Sequence, residues 1–229
     1  MTKNTKSGEN NVLKSYNMLL YFAGSMIMYE PSEECIIDFW AKGNLNNLPV
    51  SSLNPNFIKA ASQLRESCKD KSTCGKLMNE DYARLFSRQE LPLAPAYESH
   101  YNISNDSKLS HPTPTVAEFY DSYGWKSRFR GKVDDDHISI ELLFLTILVD
   151  KYLDLDDDAC SGEMRGEIRR FIDQHILSWI PEWNDNIQKN AKTLCYKGIS
   201  TLILAIVEDL FSYLEHLTAP LKQNSNLKN

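Results

Sequence analysis

Ile199-Ser200-Thr201-Leu202-Ile203-Leu204-Ala205-Ile206-Val207-Glu208-Asp209-Leu210-Phe211-Ser212-Tyr213-Leu214-Glu215-His216-Leu217 carries apolar side chains at 199, 202, 203, 206, 210, 211, 214 and 217. Steps of three and four place them on one face of a helix that packs on a core. The same spacing recurs upstream and predicts helices over residues 11–29, 55–68, 137–153, 163–179 and 182–196. A helix after Pro31, capped by Ser32, is expected through Ile36, Ile37, Phe39 and Trp40. Asn79 is read as the cap of a helix carrying Tyr82, Leu85 and Phe86. Thr115-Val116-Ala117-Glu118 has the capping-box pattern, and the helix it opens is expected to stop at Gly124. No segment alternates apolar and polar residues as strands do. The fold class is therefore all-α: a single helical domain of about eight to ten helices. Residues 1–10 and 219–229 read as disordered tails, and the helical domain spans 11–218. Lobes at 11–88 and 113–218 are joined by a loop over 89–112.

Composition narrows the function. Net charge is −6, which disfavours nucleic-acid backbones and favours cationic partners. The most apolar window, residues 138–149, is shorter than the roughly 20 residues a membrane span needs, and Glu141 interrupts it. With no secretion signal at the start, the expected location is cytoplasmic, without stable membrane insertion. The five cysteines are odd in number and form no Cys-x-x-Cys pair, which reads as ordinary thiols, although Cys68 and Cys74 are near enough in sequence to pair. The acidic run 154–158 resembles the start of a calcium loop but has Ala159 where Gly belongs and Arg165 where Glu belongs. A solvated interhelical loop fits better.

The chemistry-bearing stretch is Asp134-Asp135-Asp136-His137-Ile138-Ser139-Ile140-Glu141. Carboxylates just before a helix suit its free N–H groups and its dipole, so at least one of these aspartates is expected to cap it. His137 and Glu141 are four apart and share a face. If Ser139, Thr146 and Asp150 mark the solvent side, both point inward, where Glu141 needs a partner such as Arg84, Arg128, Arg130 or His137. Two functions from different classes stay open. One is a binding protein. The other is a metal-dependent all-α hydrolase using Asp135, Asp136, His137 and Glu141.

Ordered motifs separate these readings. Asp81-Tyr82-Ala83-Arg84-Leu85-Phe86, Tyr97-Glu98-Ser99-His100-Tyr101, Tyr120 with Gly124, Asp136-His137 with Glu141-Leu142, and Phe171-Ile172 through His175-Ile176 to Trp179-Ile180-Pro181 follow one another across roughly residues 80–215. Their order and spacing resemble the TorD/DmsD/NarJ family of redox-enzyme maturation chaperones. Asp134 stands where that family has Pro, Ala96 where Pro is frequent, and His100 where Val is frequent. The resemblance implies a TorD/DmsD-like helical bundle that catalyses no reaction and needs no cofactor. Its partner would be the twin-arginine leader of a molybdenum- or tungsten-cofactor oxidoreductase, held back from export until the cofactor is inserted. It leaves both a monomer and a helix-exchanged dimer open. Carried onto this chain, the peptide-binding set is Asp135, Asp136, His137, Glu141, Tyr82, Leu85, Phe86, Tyr97, Glu98, Ser99, Tyr101, Glu118 and Tyr120. An acidic rim of Asp134–Asp136, Glu98 and Glu118 would receive the arginines. A groove of Tyr82, Leu85, Phe86, Tyr97 and Tyr101 would take the apolar part. The test is whether a hollow lies open between Phe86, Tyr97 and His137.

Overall fold

Two helices, apolar nearly all round, organise the core. A computed structural model describes residues 3–32, 48–67, 71–87, 91–102 and 115–217. Within them lie nine α-helices and no strand: α1 (Lys3–Met28), α2 (Pro55–Glu66), α3 (Lys71–Phe86), α4 (Glu98–Tyr101), α5 (Val116–Ser122), α6 (Ile138–Leu153), α7 (Asp158–Phe171), α8 (Ile180–Asn190) and α9 (Leu194–His216). α6 and α9 are buried along most of their lengths, as expected of helices apolar on every side. α9 packs chiefly on α2 and α1 on α6, so early and late parts of the chain share one hydrophobic cluster.

The α2–α9 crossing is close because Gly198 has no side chain. A Cβ there would meet Leu64 Cγ at 2.7 Å. Asn54 fastens the same pair, accepting from Asn56 N at 2.8 Å and donating to Glu208 and Asp209 of α9 at 2.9 and 3.0 Å. Polar bonds also join α1 to α6. Ser139 Oγ donates to the Gly24 carbonyl at 2.8 Å, and Asn17 donates to the Thr146 carbonyl and to Asp150 at 3.0 and 2.8 Å. Ser139 and Thr146 are thus buried and do not mark a solvent face: the Ser139 hydroxyl reaches a carbonyl of α1, and the Thr146 hydroxyl donates to the Leu143 carbonyl of its own helix at 2.7 Å.

The Thr115–Glu118 capping box forms as expected. α5 ends in a Schellman turn, with Gly124 at φ +63° and bonds from Gly124 N to Asp121 O and Trp125 N to Tyr120 O. Other boundaries differ. α1 begins at Lys3, so residues 3–10 are helical and not tail. α3 begins at Lys71, which makes Asn79 an interior residue. α7 begins at Asp158 because Asp157 caps it, accepting from Cys160 N at 2.8 Å. It gives way at Ile172–Ile176 to a π-helical turn. The helix expected after Pro31 and the tail at 219–229 lie outside the described residues. Cys74 is disulfide-bonded, which corrects its reading as an ordinary thiol; its partner is outside the described residues, and Cys160 and Cys195 are free.

Candidate functional site

α3 carries two different faces. Met78, Asp81 and Leu85 are fully buried. Asp81 accepts from the N–H groups of Lys192 (2.9 Å) and Thr193 (2.6 Å) and from Arg84, which also donates to the Asn190 carbonyl at 3.0 Å. Burial pushes the Asp81 carboxyl up, but the bonds from Arg84, Thr193 and Lys192 outweigh it and hold the group below its ordinary value. Asp81 and Arg84 therefore tie α3 to the turn between α8 and α9, and Leu85 belongs to the core and not to a groove.

The other face, Tyr82, Ala83 and Phe86, together with Ser87 just beyond the helix, borders a hollow of about 390 Å³. Its remaining walls are Ile27, Met28 and Glu30 at the end of α1, Lys132 and Val133 before α6, and Tyr97 and His137. The volume is in the range of about 300–1,000 Å³ usual for ligand clefts. Phe86 is backed by Tyr196 and Trp183, with ring centroids 5.4 and 6.5 Å away. The Tyr82 hydroxyl donates to the Ile27 and Met28 carbonyls at 3.3 and 3.2 Å, which joins the end of α1 to α3.

The wall containing Tyr97 and His137 is a seam between two motifs far apart in sequence. These residues form an isolated antiparallel bridge. Ile138 N donates to Ala96 O and Glu98 N to Asp136 O, both at 2.9 Å. The Asp136 carboxylate accepts from Ser99 N at 3.0 Å. Asp136 thus caps α4 from across the seam. α6 is capped not by an aspartate but by His137, whose Nδ1 accepts from Ser139 N at 3.1 Å. That bond leaves the imidazole proton on Nε2. The ring meets Tyr97 edge-on, with centroids 4.9 Å apart.

Behind the seam is a buried acidic cluster. Glu141 is fully buried, and neither carboxyl oxygen has a hydrogen-bond partner. Burial raises its pKa well above the ordinary value, and the neighbouring Glu98 and Asp136 raise it further. Trp179 opposes this only weakly, because its indole N–H is committed to the His175 carbonyl at 2.7 Å. Burial and the neighbouring carboxylates thus favour the protonated form of Glu141, and it forms no ion pair with an arginine or with His137. Glu98 faces His175 Nδ1 at 3.3 Å and accepts from Asn102 at 3.0 Å. His175 lies in the π-helical turn, a feature often found at functional sites.

Of the predicted site residues, Tyr82, Phe86, Tyr97 and His137 meet at the hollow. Asp136, Glu98 and Ser99 build the seam. Tyr101 stacks on Trp179, with centroids 5.4 Å apart. Tyr120 is core, its hydroxyl donating to the Asp135 carbonyl at 3.0 Å. Glu118 is exposed and engaged in its capping box. Glu30, Lys132 and the end of α1 escaped the sequence reading, since no local pattern marks them. Among the described residues no group of three or more His, Cys, Asp or Glu comes together to hold a metal, so the hydrolase reading lacks a ligand set.

A family model described as nitrate reductase delta subunit matches residues 51–185, more than half of the chain. The chain belongs to the nitrate reductase delta subunit family. Curated relatives include the protein named Chaperone protein TorD of Psychrobacter sp. (strain PRwf-1), 28% identical over 130 residues, which are 56% of this chain and 58% of that protein. A second Chaperone protein TorD, from Aliivibrio fischeri, is 21% identical over 165 residues, 72% of this chain and 76% of that protein. The chain thus spans less than two thirds of the Psychrobacter relative. Each motif bordering the hollow lies inside the stretch that matches the nitrate reductase delta subunit family; the end of α1 lies before it.

Proposed function

We propose that this chain is a redox-enzyme maturation chaperone. It binds the twin-arginine leader at the N-terminus of a molybdenum- or tungsten-cofactor oxidoreductase, assists cofactor insertion and delays export. It catalyses no reaction. The observation that carries this reading is the hollow between Tyr82, Phe86, Tyr97 and His137, where the Asp-Tyr-Ala-Arg-Leu-Phe, Tyr-Glu-Ser and Asp-His motifs converge. Aromatic walls suit the apolar part of a leader, and the Glu30 carboxylate among the lining residues suits an arginine. The names of the two relatives support the chaperone role, and the family description favours a nitrate reductase among possible clients. No described helix is long and apolar enough to cross a membrane.

Calorimetry with a synthetic leader peptide tests the proposal. Saturable binding at one site is expected, weakened when the paired arginines become alanines and weakened by salt. Absence of binding to every leader encoded beside this gene would remove the reading.

A further inference from the structure

The carboxylates that the sequence offers as an arginine-receiving rim are largely engaged. Asp136 accepts from Ser99 N, Glu98 faces His175 and accepts from Asn102, and Glu118 closes its capping box. Glu141 is fully buried and does not border the hollow. Asp135 does not border the hollow. Glu30 does, and among the described residues no hydrogen-bond donor or cation meets its carboxylate.

The position of Glu30 adds to its charge. It stands two residues beyond the end of α1, a helix of 26 residues whose last turn holds no basic side chain. A helix C-terminus carries partial negative charge and favours a cation. Ile27 and Met28, the last residues of α1, line the hollow beside Glu30, so the dipole and the carboxylate act on the same space. The field of Glu30 also reaches the Tyr82 and Tyr196 phenols. Lys132, exposed and likewise without an anionic partner among the described residues, also lines the hollow. The hollow therefore offers one anionic locus and one cationic locus.

Resting on the chaperone reading above, the geometry points to Glu30 as the specificity residue that receives a single arginine of the guest peptide, with the adjoining apolar residues on Tyr82, Phe86 and Tyr97. Lys132 disfavours a second cation in the hollow, so paired arginines are not equivalent: one meets Glu30 and the other stays outside.

The test uses the full chain and a synthetic peptide of two adjacent arginines followed by an apolar run of about ten residues. Each arginine is replaced in turn by citrulline, which keeps the shape and removes the charge. On the unaltered protein, one of the two replacements is expected to weaken binding about threefold, the size of a partly exposed ion pair, and the other to change it little. In Glu30→Gln the sensitive position should lose its preference for arginine while peptide binding persists. Lys132→Met should strengthen binding of the doubly charged peptide. Equal citrulline effects in Glu30→Gln and the unaltered protein would overturn the assignment to Glu30 and leave the chaperone reading standing. No binding of any peptide to the unaltered protein would overturn both. Glu30 is exposed, and circular dichroism of Glu30→Gln should match that of the unaltered protein.

Discussion

Replacing Glu141 by Gln should change how stability depends on pH. The carboxyl is fully buried, has no hydrogen-bond partner for either oxygen, and is near Glu98 and Asp136. Its pKa in the folded protein is raised well above the ordinary 4.5. Between those two values the folded protein keeps a proton that the unfolded chain has released. The group's contribution to stability is therefore complete below the unfolded value and is lost as pH rises toward the folded one. Between the two values the loss proceeds at about 1.4 kcal/mol per pH unit. Glutamine has nearly the same shape and does not titrate. It introduces two amide donors, whose fit adds an offset of about 1–3 kcal/mol that does not vary with pH. Urea unfolding of both proteins at pH 5, 6 and 7 isolates the effect, because other groups titrate alike in both and cancel in the difference. The stability of Glu141→Gln relative to the unaltered protein should climb by about 1.4 kcal/mol per pH unit. A difference that stays constant across this range would refute the account of Glu141 as a buried neutral acid.

Four further outcomes follow from the fold. Asp81→Asn should cost about 2 kcal/mol at neutral pH by weakening bonds from Arg84, Lys192 and Thr193, and should remove the part of acid destabilisation that sets in as pH falls below the ordinary value of 3.8, read by urea melts at pH 3–7. Leu85→Ala should cost about 2–5 kcal/mol of stability, yet leave leader affinity per folded molecule unchanged by calorimetry; His137→Asn should keep an N-cap and stay within about 1 kcal/mol while weakening leader binding. Gly198→Ala should destabilise by about 1–3 kcal/mol in thermal or urea unfolding, since its methyl would press on Leu64 at the α2–α9 crossing.

Much of the fold was readable because its long helices bury continuous apolar stripes. α9 and α6 declare themselves by spacing, and Thr115, Glu118 and Gly124 mark both ends of α5 by their chemistry. The first turns of α3 were not readable, because the run from Lys71 to Lys76 is polar apart from Cys74 and Gly75 and gives no periodic signal. The start of α7 was masked by its own acids, among which only the bond to Cys160 distinguishes Asp157 as the cap. At the site, Tyr82, Phe86, Tyr97 and His137 could be gathered from motifs. The division of α3 into a core face and a cleft face could not, since Leu85 and Phe86 are adjacent and equally apolar. Glu30 was invisible for a different reason: its importance comes only from the tertiary placement of the end of α1 beside α3. The expected partner for Glu141 was wrong because burial among like charges was resolved by keeping the proton, a choice that sequence does not express.

The pairing of residues 96–99 with residues 136–138 has a mechanical consequence. Its three inter-segment bonds join the 96–99 segment to the first turn of the central α6, so that side of the cleft behaves as a fixed jaw. Any widening that admits a bulky side chain has to come from the opposite side, where a shared phenolic hydrogen bond links the last carbonyls of α1 to α3. Deuterium uptake at the amides of Glu98, Ser99 and Ile138 should accordingly be slow whether or not a guest is seated.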